Sequence, residues 1–219
     1  MTEPAPEDRE RLELAMDLLE EYLTRYVETG LVEVGDRATE EILAEITRNI
    51  SEDIKYEDFE VRPVFDHRDS LLDRASSAAS EGQLEIAVVL YTTWIEHSVN
   101  GILLISLERQ GISPESCKAL IRELRLATKL TALWDIAHLP GLSAAHLKLI
   151  DRAVSQRNAF VHYKWPTMSE QEERRQRGEL GEIIPQIGSL AQTFHEMEDR
   201  ALWSGRRDEI LQAWRDSVG

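Results

Sequence analysis

Cysteine is nearly absent from this 219-residue sequence, and the single residue, Cys117, leaves no disulfide framework and no multi-cysteine zinc site. A reducing compartment is the simplest setting for such a chain. Long apolar runs are also missing: stretches such as Ile86 to Leu90 and Ile102 to Ile105 fall far short of the ~20 residues that cross a bilayer. Positive charge is in deficit, with 25 Lys and Arg against 41 Asp and Glu and a formal net charge of -16, which argues against general attraction to nucleic acid or an anionic membrane. No glycine-rich phosphate loop, dinucleotide-binding glycine triplet, His-Glu-x-x-His pair or nucleophile elbow occurs, so common cofactor enzymes are disfavoured and neither a cofactor nor a metal is expected. Residues Met1 to Arg9 are acidic and proline-bearing, with no basic-then-apolar leader. A cytoplasmic protein without membrane attachment is therefore expected.

What is present is a composition that can bury a core, 42% hydrophobic and 30% charged, as in ordinary globular chains. The acidity is local. Residues 1–60 hold 19 acids and 6 bases, whereas residues 61–219 hold 22 acids and 19 bases. The acidic part has helical pieces around Glu7 to Glu28 and Asp36 to Ile50, with stripes of Leu12, Ala15, Leu19, Tyr22 and Tyr26 and of Ile42, Ile46 and Ile50. Gly30 reads as a helix stop, and Asp36 or Thr39 as a start. Two short amphipathic helices are too little for an independent core, so they must pack on the remainder or on a partner. A poorly periodic stretch from Ser51 through Pro63 separates an acidic helical N-terminal extension, residues 1–62, from a helical region, residues 63–219.

In that region the apolar spacing predicts helices over Asp66 to Ser80, Gln83 to Gln110, Ser113 to Ala137, Ser143 to Trp165 and about Gly178 to Trp214, the last broken near Ser204 and Gly205. The links are short and carry turn residues, which implies antiparallel neighbours, so the fold class is all-α, an antiparallel helical bundle. The Ser143 to Trp165 helix carries Leu147, Ile150, Val154 and Val161 on one stripe, with Arg157 seated in the gap. A guanidinium on a core-facing stripe must meet a carboxylate, a phosphate or water, because an unpaired buried charge is costly. Asn158 adjoins it, and His162 comes four residues later on the same helical face.

The run Arg157-Asn158-Ala159-Phe160-Val161-His162 resembles the Arg-x(4 to 6)-His signature of the HEPN superfamily, including the polar residue that often follows the arginine. The likeness extends over roughly Asp66 to the C-terminal helix and includes Ala87 to Asn100 as the family's second helix. Arg62 and His67 repeat the spacing, but Pro63 interrupts it ahead of the bundle. The resemblance implies an antiparallel HEPN-like bundle and a metal-independent endoribonuclease whose homodimer forms a composite active site. Five residues of helix turn Arg157 and His162 about 140 degrees apart at ~100 degrees per residue, which suits a site completed by a second protomer. On this reading His162 is general base or acid, Arg157 stabilises the phosphorane, Asn158 orients phosphate or histidine, and Glu96 supports the pair from the facing helix. The 2'-hydroxyl of RNA attacks the neighbouring phosphorus, leaving a 2',3'-cyclic phosphate and a 5'-hydroxyl.

A toxin or phage-defence role, with an antitoxin or regulatory protein as a further partner, goes with the same resemblance. The tyrosine commonly found two residues after the histidine in antitoxin-paired members is replaced by Lys164, with Tyr163 one place earlier; this departure puts modification of such a tyrosine in doubt. Lys148, Arg152, Arg157, Lys164, Arg174, Arg175 and Arg177 form one basic stretch, and Lys118, Arg122, Arg125 and Lys129 a second. Either is a candidate phosphate-contacting rim or an ordinary solvated face. The acidic extension is a candidate competitor for such a rim, a site for a basic partner or a solvated structural face. The alternative to the enzyme is a non-catalytic HEPN-like bundle that binds RNA or a protein partner, and a third reading is a helical adaptor with a coincidental motif.

Overall fold

The structure is a computed structural model that describes residues 20–55, 68–161 and 170–218. It is all-α: no strand occurs among the described residues. These residues group into two compact units, one drawn from residues 1–63 and 198–219 and the other from residues 64–197.

In the first unit, α1 (described over residues 20–28) ends at Gly30, whose φ of 75° is the left-handed turn that glycine tolerates without a Cβ clash. Val32 N–H then closes the turn on Tyr26 C=O at 3.0 Å. Helix α2 (Thr39–Lys55) opens with Glu40 and Glu41, which suit the positive end of the helix dipole. Its buried face is Ile42, Ile46 and Ile50, as the spacing predicts. On α1 the buried residues are Leu23, Tyr26 and Val27, and the Tyr26 hydroxyl donates to the Asp53 carboxylate. Leu12, Ala15 and Leu19 of the expected stripe lie outside the described residues.

The surface these helices require comes from the C-terminus. Helix α10 (Arg207–Val218) packs on α2 and contributes buried Ile210, Leu211 and Trp214. Arg206 ties the two together: it donates to the Arg37 carbonyl at 2.6 Å, to Thr39 Oγ1 at 2.6 Å, and to Glu209 at 2.7 and 3.1 Å. The Thr39 hydroxyl also donates to Glu209. Arg215 adds a fork onto the Glu20 carboxylate, a geometry that guanidinium planarity favours.

The second unit is organised by α4 (Leu84–Arg109), which is joined to α3 (Arg68–Ser80) through a turn at Gly82 with φ 75°. Along α4 the residues Val88, Tyr91, Ile95, Val99, Ile102 and Leu107 are buried, and so are Thr92, Trp94, Ser98 and Ser106. A helix covered nearly all round belongs to the middle of its unit. By length and composition α4 could cross a membrane, and half of its most apolar window is buried inside the protein, as in a core helix.

Helix α5 (Pro114–Glu123) starts as expected: Ser113 Oγ accepts from the Ser116 N–H at 3.3 Å, and Pro114 occupies the first turn, where its missing N–H costs nothing. The spacing predicts one helix from Ser113 to Ala137, and the structure divides it. Leu124 and Arg125 are extended, with ψ of 140° and 151°, before α6 (Leu126–Thr128), a π turn (Lys129–Leu133) and α7 (Trp134–Ile136). The π turn carries buried Lys129, Leu130 and Leu133, and Trp134 enters the core just after them.

Helix α8 (Ala144–Val161) packs on α4. Its fully buried residues are Leu149, Ile150 and Ala153, so the core face is rotated from the expected stripe, of which only Ile150 is fully buried. Val161 is exposed. Helix α9 (Glu170–Trp203) begins earlier than the expected Gly178, because Glu170, Glu172 and Glu173 complement the dipole of its first turn. Arg174, Arg175 and Arg177 are therefore helical, not in a loop. The break at Ser204 and Gly205, with φ of 55° and 74°, is where the sequence predicts it.

Both the core and the Arg206 network are open to measurement. Ile102→Ala, at a fully buried position, should lower stability by about 2–5 kcal/mol in urea unfolding, the usual cost of such a cavity. The hydrogen bonds from Arg206 and then Thr39 hold the Glu209 carboxyl down, from 4.5 to about 2. A depressed carboxyl stabilises the fold above its ordinary pKa and stops doing so as pH falls through the folded value. The stability difference between wild type and Glu209→Gln should be full above about 4.5 and vanish as pH falls through about 2.

Candidate active site

Glu96 and Asn100 are one turn apart on α4 and both half-buried, the arrangement their i, i+4 spacing predicts. In the middle of a buried helix each needs a partner, and each finds a cation. Glu96 forms an ion pair with Arg157 of α8. Asn100 Oδ1 accepts from Lys129 Nζ of the π turn at 2.7 Å.

The Glu96–Arg157 pair resolves the anomaly in the α8 sequence. The Arg157 side chain is 25% exposed and that of Glu96 34%, so the two charges meet where screening by water is reduced. The Arg157 Nε is buried and has no hydrogen-bond partner. The guanidinium is thus oriented by one carboxylate without being saturated, and it faces a cavity of about 420 Å³. Asn158 lines the same cavity with Arg125, Asp151 and the apolar Leu130 and Val154. Leu147 and Val154, expected as core, are half-buried on this wall. Gln156 secures α8 to α9 by donating to Glu179 at 3.2 Å.

Three of the four expected site residues, Glu96, Arg157 and Asn158, therefore come together at one cavity. The fourth, His162, lies outside the described residues, as do Tyr163, Lys164, Trp165 and the Arg62/His67 pair. Asn100 lines a different cavity, with Lys129. Of the first basic stretch, Arg174 pairs with Glu170 at 3.4 Å, and Arg177 donates to the Gly82 carbonyl at 3.2 Å, closing the α3–α4 turn.

Lys129 is the residue that sequence reasoning undervalued. Within the basic stretch Lys118 to Lys129 it reads as part of a solvated helix face, yet it is only 8% exposed. Burial pushes its ammonium pKa down, and the negative charge of Glu96 opposes that shift. The signal was its immediate neighbours, because Leu130, Leu133 and Trp134 give the next turns an apolar face. The local π winding is not visible in that pattern.

No family model matches this chain, and searches of curated proteins and of solved structures likewise give no match.

If the ion pair fixes α8 on α4, Glu96 and Arg157 should be energetically coupled. A double-mutant cycle with Glu96→Gln and Arg157→Gln, measured by urea unfolding, should return a coupling energy on the order of 1 kcal/mol. Strict additivity would show that the pair contributes nothing.

Proposed function

We propose that this protein is a HEPN-type, metal-independent endoribonuclease that acts as a toxin or defence effector in the cytoplasm. The observation that carries the reading is Arg157, half-buried on α8, held by Glu96 of α4 on the wall of a cavity that Asn158 also lines. A guanidinium oriented by a carboxylate on the wall of a cavity is suited to the charge that develops on a phosphorane. Glu96 sets its direction and Asn158 orients the phosphate. His162 takes the proton from the 2'-hydroxyl or supplies one to the leaving 5'-oxygen. The products are a 2',3'-cyclic phosphate and a 5'-hydroxyl. On the same reading the second unit is an antiparallel HEPN-like bundle that forms a homodimer, in which the Arg and His of both protomers line one cleft, and an antitoxin or regulatory protein restrains it.

One observation favours the alternative, a non-catalytic HEPN-like bundle that binds RNA or a protein. The charge of Arg157 is already balanced by Glu96, so the pair is complete as a structural element without a substrate.

The test compares wild type with His162→Ala on total RNA and tRNA in EDTA, with end-group analysis of the fragments. The enzyme reading expects cleavage by wild type alone, with a loss of about 10²-fold or more in the variant and 2',3'-cyclic phosphate termini. Equal cleavage by both, or an inert wild type that still binds RNA, supports the alternative. A strict monomer in light scattering at high concentration removes the composite site.

A further inference from the structure

A second cavity of about 420 Å³ lies where α4 meets α5 and the π turn, and it differs in charge from the first. The Glu96–Arg157 cavity has two guanidinium groups, Arg125 and Arg157, and two carboxylates, Glu96 and Asp151. The second is lined by Lys118, Arg122 and Lys129 with Asn100, and by no carboxylate among the described residues. In a chain of net charge -16, three cations around one cavity without an acid is a local excess that average composition does not predict.

The hydrogen-bonding capacity of these three cations is largely unfilled. Lys118 and Arg122 are exposed and four residues apart on α5, so they share a face, where like charges repel. Neither makes an ion pair among the described residues. Lys129 is more than nine-tenths buried and directs one of its three donors to the uncharged Asn100 Oδ1. The acid that acts on it electrostatically is Glu96, which is already engaged by Arg157. A buried ammonium with further donors, sharing a cavity wall with two cations that have no ion-pair partner among the described residues, is arranged for an anion. Leu104 and Ile121 supply apolar wall beside it. The volume lies within the range of small-ligand sites, ~300–1,000 Å³, and exceeds what a lone phosphate needs.

We propose that this cavity binds a nucleoside phosphate, with the phosphate held by Lys118, Arg122 and Lys129 and the sugar or base against Leu104 and Ile121. A free nucleotide and one nucleotide unit of an RNA strand present the same chemistry. The site does not depend on the ribonuclease reading, since none of its residues belongs to the proposed catalytic set.

The test uses the full-length chain carrying His162→Ala, so that RNA remains intact, and isothermal titration at low salt. The probes are adenosine 5'-monophosphate, a 5'-phosphorylated eight-nucleotide RNA, and adenosine as the uncharged control. Binding of the mononucleotide identifies a free ligand, and binding of the RNA alone identifies a strand; either supports the site, provided adenosine does not bind. Lys118→Gln combined with Arg122→Gln should weaken binding about tenfold or more, as loss of charge-assisted phosphate contacts does. Lys129→Met should do the same, with circular dichroism and a thermal melt reporting whether it folds. Should it fail to fold, the exposed double variant decides. The proposal is overturned if neither phosphate probe binds, if adenosine binds equally well, or if the folded variants bind like their parent.

Discussion

The second unit depends on a constraint imposed by α4. A helix covered nearly all round leaves little water to its polar groups, so those turned from solvent must find a protein partner or carry a desolvation penalty. Thr92 donates to the Val88 carbonyl at 2.6 Å, and Tyr91 shares a hydrogen bond with Ser76 at 3.1 Å. Glu96 and Asn100 have no such local solution. They draw in Arg157 from α8 and Lys129 from the π turn, and the two cavities open beside these contacts. Packing and chemistry here are one requirement, because the groups that satisfy α4 are the ones that line the spaces.

That coupling explains which parts of the structure were legible in the sequence. Features set by local chemistry were: the Gly30 stop, the helix starts at Ser113 and Ser143, where the serines accept from the Ser116 N–H at 3.3 Å and the His146 N–H at 3.1 Å, and the turn at Ser204 and Gly205. The face of α2 was legible because Ile42, Ile46 and Ile50 keep strict helical spacing. In α5 to α7 the apolar residues remain dense enough to suggest one helix, and neither an extended pair at Leu124 and Arg125 nor a π turn changes composition. A π turn shifts the helical phase of the residues C-terminal to it, so positions beyond Lys129 fall on faces that a uniform wheel misassigns.

The candidate site shows the same division. Arg157 stood out because a guanidinium broke an apolar stripe, an anomaly that required a carboxylate, a phosphate or water, and the structure supplies the carboxylate of Glu96. Its stripe, however, is the wall of a cavity more than the core, since of its members only Ile150 joins Leu149 and Ala153 in the packing. Periodicity identifies a face that is not solvent, and it does not distinguish a face against protein from one against an internal space. Lys129 escaped for the converse reason: a lysine closing a basic stretch with Lys118, Arg122 and Arg125 reads as surface until tertiary contacts bury it.

Charge, averaged over the chain, obscures both units. In the first, Arg37 meets Glu45 at 2.6 Å, Arg206 meets Glu209 and Arg215 meets Glu20, so several of its bases are used in pairing within the unit. In the second, Arg157 is paired with Glu96, whereas Lys118 and Arg122 make no ion pair among the described residues and Lys129 donates to a neutral amide. Long-range attraction to a polyanion depends on the summed charge, which opposes it here, whereas retention of a phosphate depends on donors within a few ångströms. Such a molecule gains little from steering and must select its anion at close range. On the proposed reading, a cavity with three cations, one of them a buried ammonium, and no carboxylate among its described lining residues provides that kind of selection.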